Sequence, residues 1–231
     1  AGTSGRLAVL DGVELGPTFG WPPERLHYGL AGGMDALTKS IENAEDDVQS
    51  GRDFVAAARL NPDDVAVGVS ASGTTPFTLA AIREASSAGA LTVAIAGNAG
   101  TPLLLAAKHP ILLDTGAELV SGSTRMKAGT AQKVALNLFS TAVMLKLGRV
   151  YKSLMVDMRI SNRKLRSRAV SAVAQISGVA SDAAEAALDR SGGNIKLASL
   201  LAMGMDLEGA HRCLAACGND LRVAIQSCRG Q

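Results

Sequence analysis

The sequence predicts an α/β domain in which helices cover both faces of a parallel sheet, followed along the chain by a small all-helical domain. Three short apolar runs carry this prediction: DVAVGVS at 64–70, LTVAIAG at 91–97 and HPILLD at 109–114. Strands of nearly continuous Val, Ile, Leu and Ala that alternate with helices are typical of parallel sheets buried on both faces. The helical segment TPFTLAAIREASSAGA separates the first two runs. Beyond Tyr151 the pattern becomes helical throughout.

Before the first run, the sequence predicts two helices, a further strand and an irregular connection. Residues 6–15, RLAVLDGVEL, have apolar side chains at helical spacing, and the prolines that follow indicate an irregular segment. The run LHYGLAGG at 26–33 predicts a strand closed by glycines, and 34–60 predicts a helix with an acidic centre. The opening AGTSGR reads as the interior of a loop, which predicts that an N-terminal part with a preceding strand is missing.

The last 111 residues are predicted to begin with one long helix and to end in a repeat. The segment SGSTRMKAGTAQKVALNLFSTAVMLKLG at 121–148 predicts a helix from about Arg125 that Gly148 ends. A shift of 26 residues superposes 178–198 on 204–224. Two copies indicate a pair of helix hairpins, too few for a solenoid. The predicted domains are therefore 1–167 and 168–231, and the second is similar in pattern to ubiquitin-associated three-helix modules.

Composition and charge exclude several classes of function. A formal net charge of +2 spread over 231 residues, 47% of them hydrophobic, provides no broad positive field for nucleic acid. No stretch of about 18 consecutive apolar residues predicts a membrane span, and no leader pattern opens the chain. The three cysteines, Cys213, Cys217 and Cys228, form no C-x-x-C pair, so we predict free thiols in a reducing cytoplasm, with a metal cluster as the alternative.

The segment SASGTT at 70–75 lies where the first predicted strand turns into a helix. In an open parallel sheet, ligands bind at the carboxyl ends of the strands, because the N-termini of the following helices present unpaired N–H groups there. Gly73 permits a tight turn or a positive φ. The loop also carries four hydroxyls, on Ser70, Ser72, Thr74 and Thr75. No lysine follows the glycine as in nucleotide P-loops, so the pattern predicts a cradle for a small phosphorylated metabolite rather than ATP.

The alternative is that these residues only cap the next helix at Thr75 or Pro76, which is the commonest use of Ser and Thr there. Two similar clusters count against it, Gly2-Thr3-Ser4-Gly5 and Ser121-Gly122-Ser123-Thr124-Arg125, since each also opens a predicted helix. One cap needs one hydroxyl, so three such clusters exceed the structural need. The predicted phosphosugar-binding hydroxyls are those of Thr3, Ser4, Ser70, Ser72, Thr74, Thr75, Ser121 and Ser123.

The segments AGTSGRLAVLD, VSASGTTP and AELVSGSTRMKAGTAQK together resemble the sugar isomerase (SIS) domain family. Within it the chain looks like the N-acetylmuramic acid 6-phosphate etherases, relatives of the glucokinase regulatory proteins. The resemblance implies a cytoplasmic homodimer that recycles amino sugars of peptidoglycan. It also implies that a phosphorylated amino sugar binds near a subunit interface, without nucleotide, metal or other cofactor.

The implied reaction cleaves the D-lactyl ether at C3 of the open-chain sugar phosphate. The C1 aldehyde makes the C2 proton acidic, so its removal allows the lactate oxygen to leave, and water then adds at C3. One acid and one base are needed on one face of the sugar, and carboxylates in different surroundings can fill both roles, each contributing about 10²–10⁴-fold in rate.

Two glutamates match the family's catalytic positions, Glu14 in LDGVELGPT and Glu45 in ENAEDD. We predict that Glu14 is the general acid for the departing lactate oxygen and later activates water, since partial burial would favour its protonated form. Glu45 is the predicted base at C2. The alternative for Glu45 is an ordinary solvated acidic face, shared with its acidic neighbours in 42–47.

Three basic residues complete the predicted site. Arg125 and Lys127 follow the third hydroxyl cluster and could neutralise the phosphate or the lactyl carboxylate, or be surface charges of a first helical turn. Lys164 matches a lysine of the family, although the arginines beside it also make a solvated basic face. Two other functions stay open on the same fold: a non-catalytic sugar-phosphate-binding regulator and an aldose–ketose phosphate isomerase.

Overall fold

Two compact units make up the computed structural model, which describes residues 1–229, with side chains as far as Ser227. The first unit combines residues 1–12 with 24–138, and the second combines 13–23 with the chain from Phe139 onward. Cys228 therefore lies outside the described side chains. The predicted helical domain, residues 168–231, stays a prediction, since compactness alone places the start of the second unit earlier in the chain.

In chain order, residues 1–146 form α1 (Gly2–Val13), α2 (Leu15–Phe19), α3 (Val48–Ala58), β1 (Val65–Ser70), α4 (Pro76–Ser87), β2 (Leu91–Ala96), α5 (Pro102–Ala106), β3 (His109–Leu112) and α6 (Lys127–Lys146). Short 3-10 turns lie at Pro23–Arg25, Met34–Leu37 and Ala44–Asp46. The three predicted strand runs at 64–70, 91–97 and 109–114 are thus confirmed as β1, β2 and β3.

The sheet has the order β1-β2-β3, and both pairs are parallel, as predicted. Ser70 pairs with Ala96, and Ala96 pairs with Leu112, so the carboxyl ends of the strands lie in register at one edge. The loop 71–75 and the loop that follows β2 leave the sheet at this edge. The edge is where open parallel sheets bind their ligands.

Helices cover both faces of the sheet, which confirms the three-layer α/β prediction. On one face Ile82 of α4 and Leu103 of α5, 2% and 0% exposed, pack against Ala94 and Ala96 of β2. On the opposite face Leu7 and Ala8 of α1 and Leu136 of α6 pack against Val69 and Ile95. Helix α3 covers α4 through the buried pair Val55 and Ala85. Full burial of a Val, Leu or Ile side chain in this core supplies about 1.5–3 kcal/mol.

Three stretches differ from their predictions. Residues 26–33 form no strand, and their last two residues, Gly32 and Gly33, have a positive φ that is incompatible with extended pairing. The predicted helix 34–60 is correct only from Val48, where the carboxylate of Asp47 accepts the N–H of Ser50 at 2.9 Å and begins α3. Strand structure also continues past Tyr151, since Val150–Tyr151 pairs with Leu154–Met155 in a two-stranded hairpin.

The rest of the second unit is helical, as predicted. After the hairpin strands β4 (Val150–Tyr151) and β5 (Leu154–Met155) come α7 (Arg163–Ser177), α8 (Ser181–Arg190), α9 (Ile195–Ala202), α10 (Leu207–Ala216) and α11 (Leu221–Arg229). No helix in the described part of the chain has both the length and the apolar character needed to cross a bilayer.

The internal repeat is confirmed by the helix positions. The starts of α8 and α9 recur 26 residues later at the starts of α10 and α11. Equivalent alanines, Ala184 with Ala210 and Ala198 with Ala224, are all 0% exposed. Each hairpin therefore presents the same small residues to a common core, which α7 completes.

Candidate functional site

The hydroxyls of the loop after β1 form one hydrogen-bonded cluster, here named the hydroxyl ring: those of Ser70, Ser72 and Thr75 contact one another, and that of Thr74 joins through Ser72. Ser70, 3% exposed, lies at its centre, and its Oγ is 2.8 Å from Oγ1 of Thr75 and 3.3 Å from Oγ of Ser72. Thr74 donates to Ser72 from both its backbone N–H, at 3.2 Å, and its hydroxyl, at 3.1 Å. The N–H of Gly73 donates to Oγ of Ser70 at 3.1 Å. These four predicted residues are brought together at the carboxyl edge of the sheet.

This ring does not cap α4. Thr75 is the N-cap residue, but its side chain makes no cap hydrogen bond and instead contacts Ser70. The first N–H groups of the twelve-residue α4 therefore have no side-chain acceptor from its N-cap residue. The interpretation of the loop as a simple cap is wrong for this helix, and an anion would find amide donors, hydroxyls and the positive end of the helix dipole in one place.

The loop after β2 binds the backbone of the loop that carries the hydroxyl ring. Asn98 donates its side-chain N–H to the carbonyl oxygens of Ala71 and Ser72, both at 3.3 Å. Gly73 has φ +72°, and an added Cβ would lie 2.6 Å from Cβ of Thr101, a buried residue. Sequence reasoning missed Asn98 and Thr101, although both lie in NAGTP directly after a predicted strand, the signal that identified Ser70.

The first hydroxyl cluster lies inside α1 and not in a loop before it. Helix α1 begins at Gly2, so Thr3 and Ser4 form its first turn, where Ser4 is 6% exposed and Thr3 is half-buried. The predicted loop is wrong, because the N–H of Gly5 already donates to the carbonyl of Ala1 at 3.0 Å.

The helix that follows the third cluster, α6, is capped by the side chain of Glu118. The two carboxylate oxygens of Glu118 accept the backbone N–H groups of Lys127 and Ala128, both at 3.0 Å. The N–H groups of Ala128 and then Lys127 hold the pKa of Glu118 below its ordinary value. The ammonium of Lys127 donates to the carbonyl of Ala117 at 2.7 Å. The start of α6 is thus already bound to a carboxylate of its own chain, and Lys127 stabilises the preceding loop.

The remaining residues of this cluster lie near the start of α6. Ser121 and Arg125 are exposed, and Ser123 is half-buried. An added Cβ on Gly129 of α6 would lie 3.3 Å from both the carbonyl of Thr124 and Cγ2 of Thr3. The first turns of α1 and α6 are therefore neighbours, and the first and third hydroxyl clusters border the same part of the unit.

Glu45 lies in the 3-10 turn Ala44–Asp46 and is exposed. The carboxylate of Glu45 lies close enough to the backbone nitrogen of Ala1 to interact with it electrostatically, which places this carboxylate near the start of α1. The guanidinium of Arg6 fixes the preceding segment, donating to the carbonyls of Ala36 at 2.8 Å and Lys39 at 2.9 Å. Glu45 therefore borders the first turn of α1, as an acid–base residue near Thr3 and Ser4 would.

Glu14 and Lys164 belong to the second unit. Glu14 is the N-cap residue of α2, and its side chain is exposed, so the predicted partial burial is wrong: the turn directs the carboxylate outward. Lys164 is exposed in the first turn of α7, whose start is capped by Asn162 through the N–H of Leu165 at 2.9 Å.

Two further features bear on chemistry. Gln132 of α6 is 1% exposed, and neither atom of its amide has a hydrogen-bond partner among the described residues. Sequence reasoning missed it, although it lies in the quoted segment GTAQK. No set of three His, Cys, Asp or Glu side chains is arranged to hold a metal ion in the part of the chain described.

Comparisons with known proteins found relatives over nearly the whole chain. The family model of the glucokinase regulatory protein N-terminal SIS domain matches residues 1–86. A Deinococcus radiodurans protein named N-acetylmuramic acid 6-phosphate etherase is 52% identical over 97% of this chain and 74% of its own length. Proteins of the same name from Rubrobacter xylanophilus and Streptomyces coelicolor are each 48% identical, over 97% and 100% of this chain and 74% of their own lengths.

Proposed function

The chain belongs to the N-acetylmuramic acid 6-phosphate etherase family, and we propose that it cleaves the D-lactyl ether of N-acetylmuramic acid 6-phosphate. The products are N-acetylglucosamine 6-phosphate and D-lactate. The observation that carries the proposal is the ring of four hydroxyls at Ser70, Ser72, Thr74 and Thr75 beside the uncapped start of α4. Such a ring suits the doubly negative phosphate of a sugar, which needs many donors and no metal.

The proposed chemistry needs one proton donor and one proton acceptor. Glu45 takes the proton from C2, and the electron pair forms a double bond between C2 and C3 as the C3–O bond breaks. Glu14 gives its proton to the lactate oxygen and then takes one from the water that adds at C3, while Glu45 returns a proton to C2. Water is consumed and each carboxyl group ends in its starting state, so the cycle needs no cofactor.

The exposure of both glutamates is compatible with these roles, because an apo structure need not show the closed geometry of the catalytic complex. Arg125 and Lys164, both exposed, are proposed to meet the negative groups of the substrate. Lys127 contributes through the loop 115–117, whose carbonyls it already binds. Ser121, Ser123, Thr3 and Ser4 are proposed to complete the polar boundary of the site.

The reaction is tested with N-acetylmuramic acid 6-phosphate in ¹⁸O-labelled water. D-lactate release with one ¹⁸O atom at C3 of the product sugar is expected, and absence of lactate refutes the proposed function. In ²H₂O the wild type is expected to place deuterium at C2. Glu45→Gln should lose both the C2 label and lactate, whereas Glu42→Gln, in the same exposed acidic segment, is the matched control and should retain both. Equal loss in both variants would refute the assignment of Glu45.

Glu14 is tested separately. Glu14→Gln should lose lactate release yet still bind the phosphosugar, as seen by calorimetric titration, because the proposal assigns phosphate binding to the hydroxyls of Ser70, Ser72, Thr74 and Thr75. Loss of binding would show that Glu14 is structural and not catalytic. A sugar-phosphate-binding regulator is not favoured, since the regulatory-protein model matches residues 1–86 whereas the etherase relatives align with nearly the whole chain.

The protein is further proposed to act in the cytoplasm as a homodimer in the recycling of cell-wall amino sugars. The exposed apolar side chains of Val134 and Leu138 on α6, 53% and 67% exposed, support a protein–protein contact. Sedimentation equilibrium tests the dimer: a monomer at micromolar concentration contradicts it.

A further inference from the structure

One arginine binds the end of the short helix α2, whose N-cap residue is Glu14. Nη1 of Arg149 donates to the carbonyl oxygens of Phe19 at 3.0 Å and Gly20 at 3.3 Å. Its guanidinium carbon lies 5.4 Å from the centroid of the Trp21 ring, within the range of a cation–π interaction. Three consecutive residues at the end of α2 thus contact a single guanidinium group, although they lie about 130 positions away in the sequence.

Arg149 is itself part of a largely buried set of charges. Its Nε lies 3.8 Å from Oδ2 of Asp157, and the same oxygen lies 2.6 Å from Nζ of Lys196. The Lys196 side chain is 1% exposed and also donates to the carbonyl of Asn219 at 2.8 Å. We name Arg149, Asp157 and Lys196 the charge clasp. It connects the helical repeat, through α9 and the residues before α11, to the end of α2.

Backbone hydrogen bonds of helix α2 connect Glu14 with the residues that Arg149 binds. Backbone hydrogen bonds run from the N–H of Gly20 to the carbonyl of Gly16 at 2.9 Å and from that of Trp21 to Leu15 at 3.2 Å. A third runs from the N–H of Thr18 to the carbonyl of Glu14 at 3.1 Å. The held end lies about 7.5 Å from Glu14 at 1.5 Å per helical residue. The contacts of Arg149 therefore restrain the backbone from which the carboxyl group of Glu14 extends.

A role in stability alone does not account for the clasp. Removal of charges from water is costly, and well-packed apolar residues often serve as well or better in their place. Charges do, however, hold a backbone segment in one geometry, because each donor must meet its acceptor. A general acid needs that accuracy, since a misplacement of about 1 Å can cost about 10²-fold in rate.

We propose that Arg149, Asp157 and Lys196 are positioning residues through which the helical repeat places Glu14 for proton transfer to the lactate oxygen. The proposal rests on the proposed function, in which Glu14 is the general acid. It assigns a role in catalysis to the second unit's helices, which contain none of the phosphate-binding hydroxyls.

The test compares Arg149→Met with Arg149→Lys and with Arg166→Met as the matched control. Arg166 forms an exposed ion pair with Asp189 at 2.6 Å in the same unit and has no place in the proposed site. Arg149→Met should lower kcat about 10²-fold with little change in KM, because the acid is misplaced while phosphate binding is intact. Arg149→Lys should restore part of kcat, since it keeps a cation beside Asp157. Arg166→Met should match the wild type.

A second measurement separates positioning from general damage. Arg149→Met should still incorporate deuterium at C2 from ²H₂O, because Glu45 performs that step, while C–O cleavage falls. Equal loss of both, or wild-type kcat measured well below the melting temperature, overturns the proposal. If the wild type itself releases no lactate, the proposed function has failed instead.

Lys196 is tested with its partner, because removal of one buried charge alone could prevent folding. The double variant Asp157→Asn with Lys196→Gln removes both charges and keeps polar groups. It should reproduce the kcat loss of Arg149→Met, and the triple variant should show no greater loss, because all three residues act along one path. Multiplicative losses overturn the shared path.

Discussion

Replacement of Ser70 by alanine tests the hydroxyl ring most directly. The Ser70 hydroxyl is the acceptor for the N–H of Gly73 and the partner of the Thr75 and Ser72 hydroxyls. In the variant the Gly73 N–H stays buried without its acceptor, which costs about 1–3 kcal/mol. The two hydroxyls reach solvent and lose little. We therefore expect a loss of about 2 kcal/mol in unfolding free energy, or about 4–8 °C in Tm for a chain of this size.

The assay combines calorimetric unfolding with D-lactate release as a function of substrate concentration. A disordered ring should weaken phosphate binding, so kcat/KM is expected to fall about 10²-fold, mainly through KM. Ser199→Ala is the matched control: Ser199 is 0% exposed, but its hydroxyl donates only to the carbonyl of Ile195 in its own helix, at 2.8 Å. Alanine there should change stability by less than about 0.5 kcal/mol. If Ser70→Ala behaves like this control, the ring is not a preorganised phosphate site.

Other substitutions have defined outcomes. Gly73→Ala forces a side chain into a positive φ and against Thr101, so it should lower the free energy of unfolding by about 1–2 kcal/mol or more and should also lower kcat/KM. An unchanged Tm and kcat/KM would contradict the loop geometry. Leu103→Ala, at a fully buried position, should cost about 2–5 kcal/mol in urea unfolding with little change in KM; a cost below 1 kcal/mol would refute its place in the core. The pKa of Glu118 is lowered in the folded state. Its contribution to stability is therefore present at pH values above the usual pKa of a glutamate and is lost as the pH falls through the lowered pKa of the folded state. Glu118→Gln should therefore flatten the decrease in Tm between neutral and acid pH, and identical pH profiles would refute the cap.

The features that sequence predicted are those set by local pattern. The runs that became β1, β2 and β3 are short, apolar and bounded by turn residues, so each strand could be identified from its own residues without reference to distant ones. The 26-residue repeat was visible because both hairpins need the same small residues at the same places, as Ala184 and Ala210 show. The hydroxyl loop was visible because Ser70, Ser72, Thr74 and Thr75 meet within six residues.

The features that sequence missed depend on distant partners. The segment 26–47 is irregular because its backbone is held from elsewhere, for example by Arg6, whose guanidinium binds the carbonyls of Ala36 and Lys39. Arg149 reaches Phe19 across 130 positions, and no local pattern marks such a pair. The outward direction of Glu14 follows from its N-cap position at α2, a helix of five residues that periodicity could not detect.

The three helix starts that looked equivalent in sequence differ in what they offer an anion. In α1 the hydroxyls of Thr3 and Ser4 lie within the helix and form no separate loop, and the side chain of Ser4 is buried. At α6 the first N–H groups are bound to the carboxylate of Glu118, whose charge would oppose a phosphate in the same place. At α4 the N–H groups have no side-chain cap, and the Ser70 ring lies beside them. Phosphate recognition should therefore depend on the start of α4, with α1 and α6 contacting the less charged parts of the sugar.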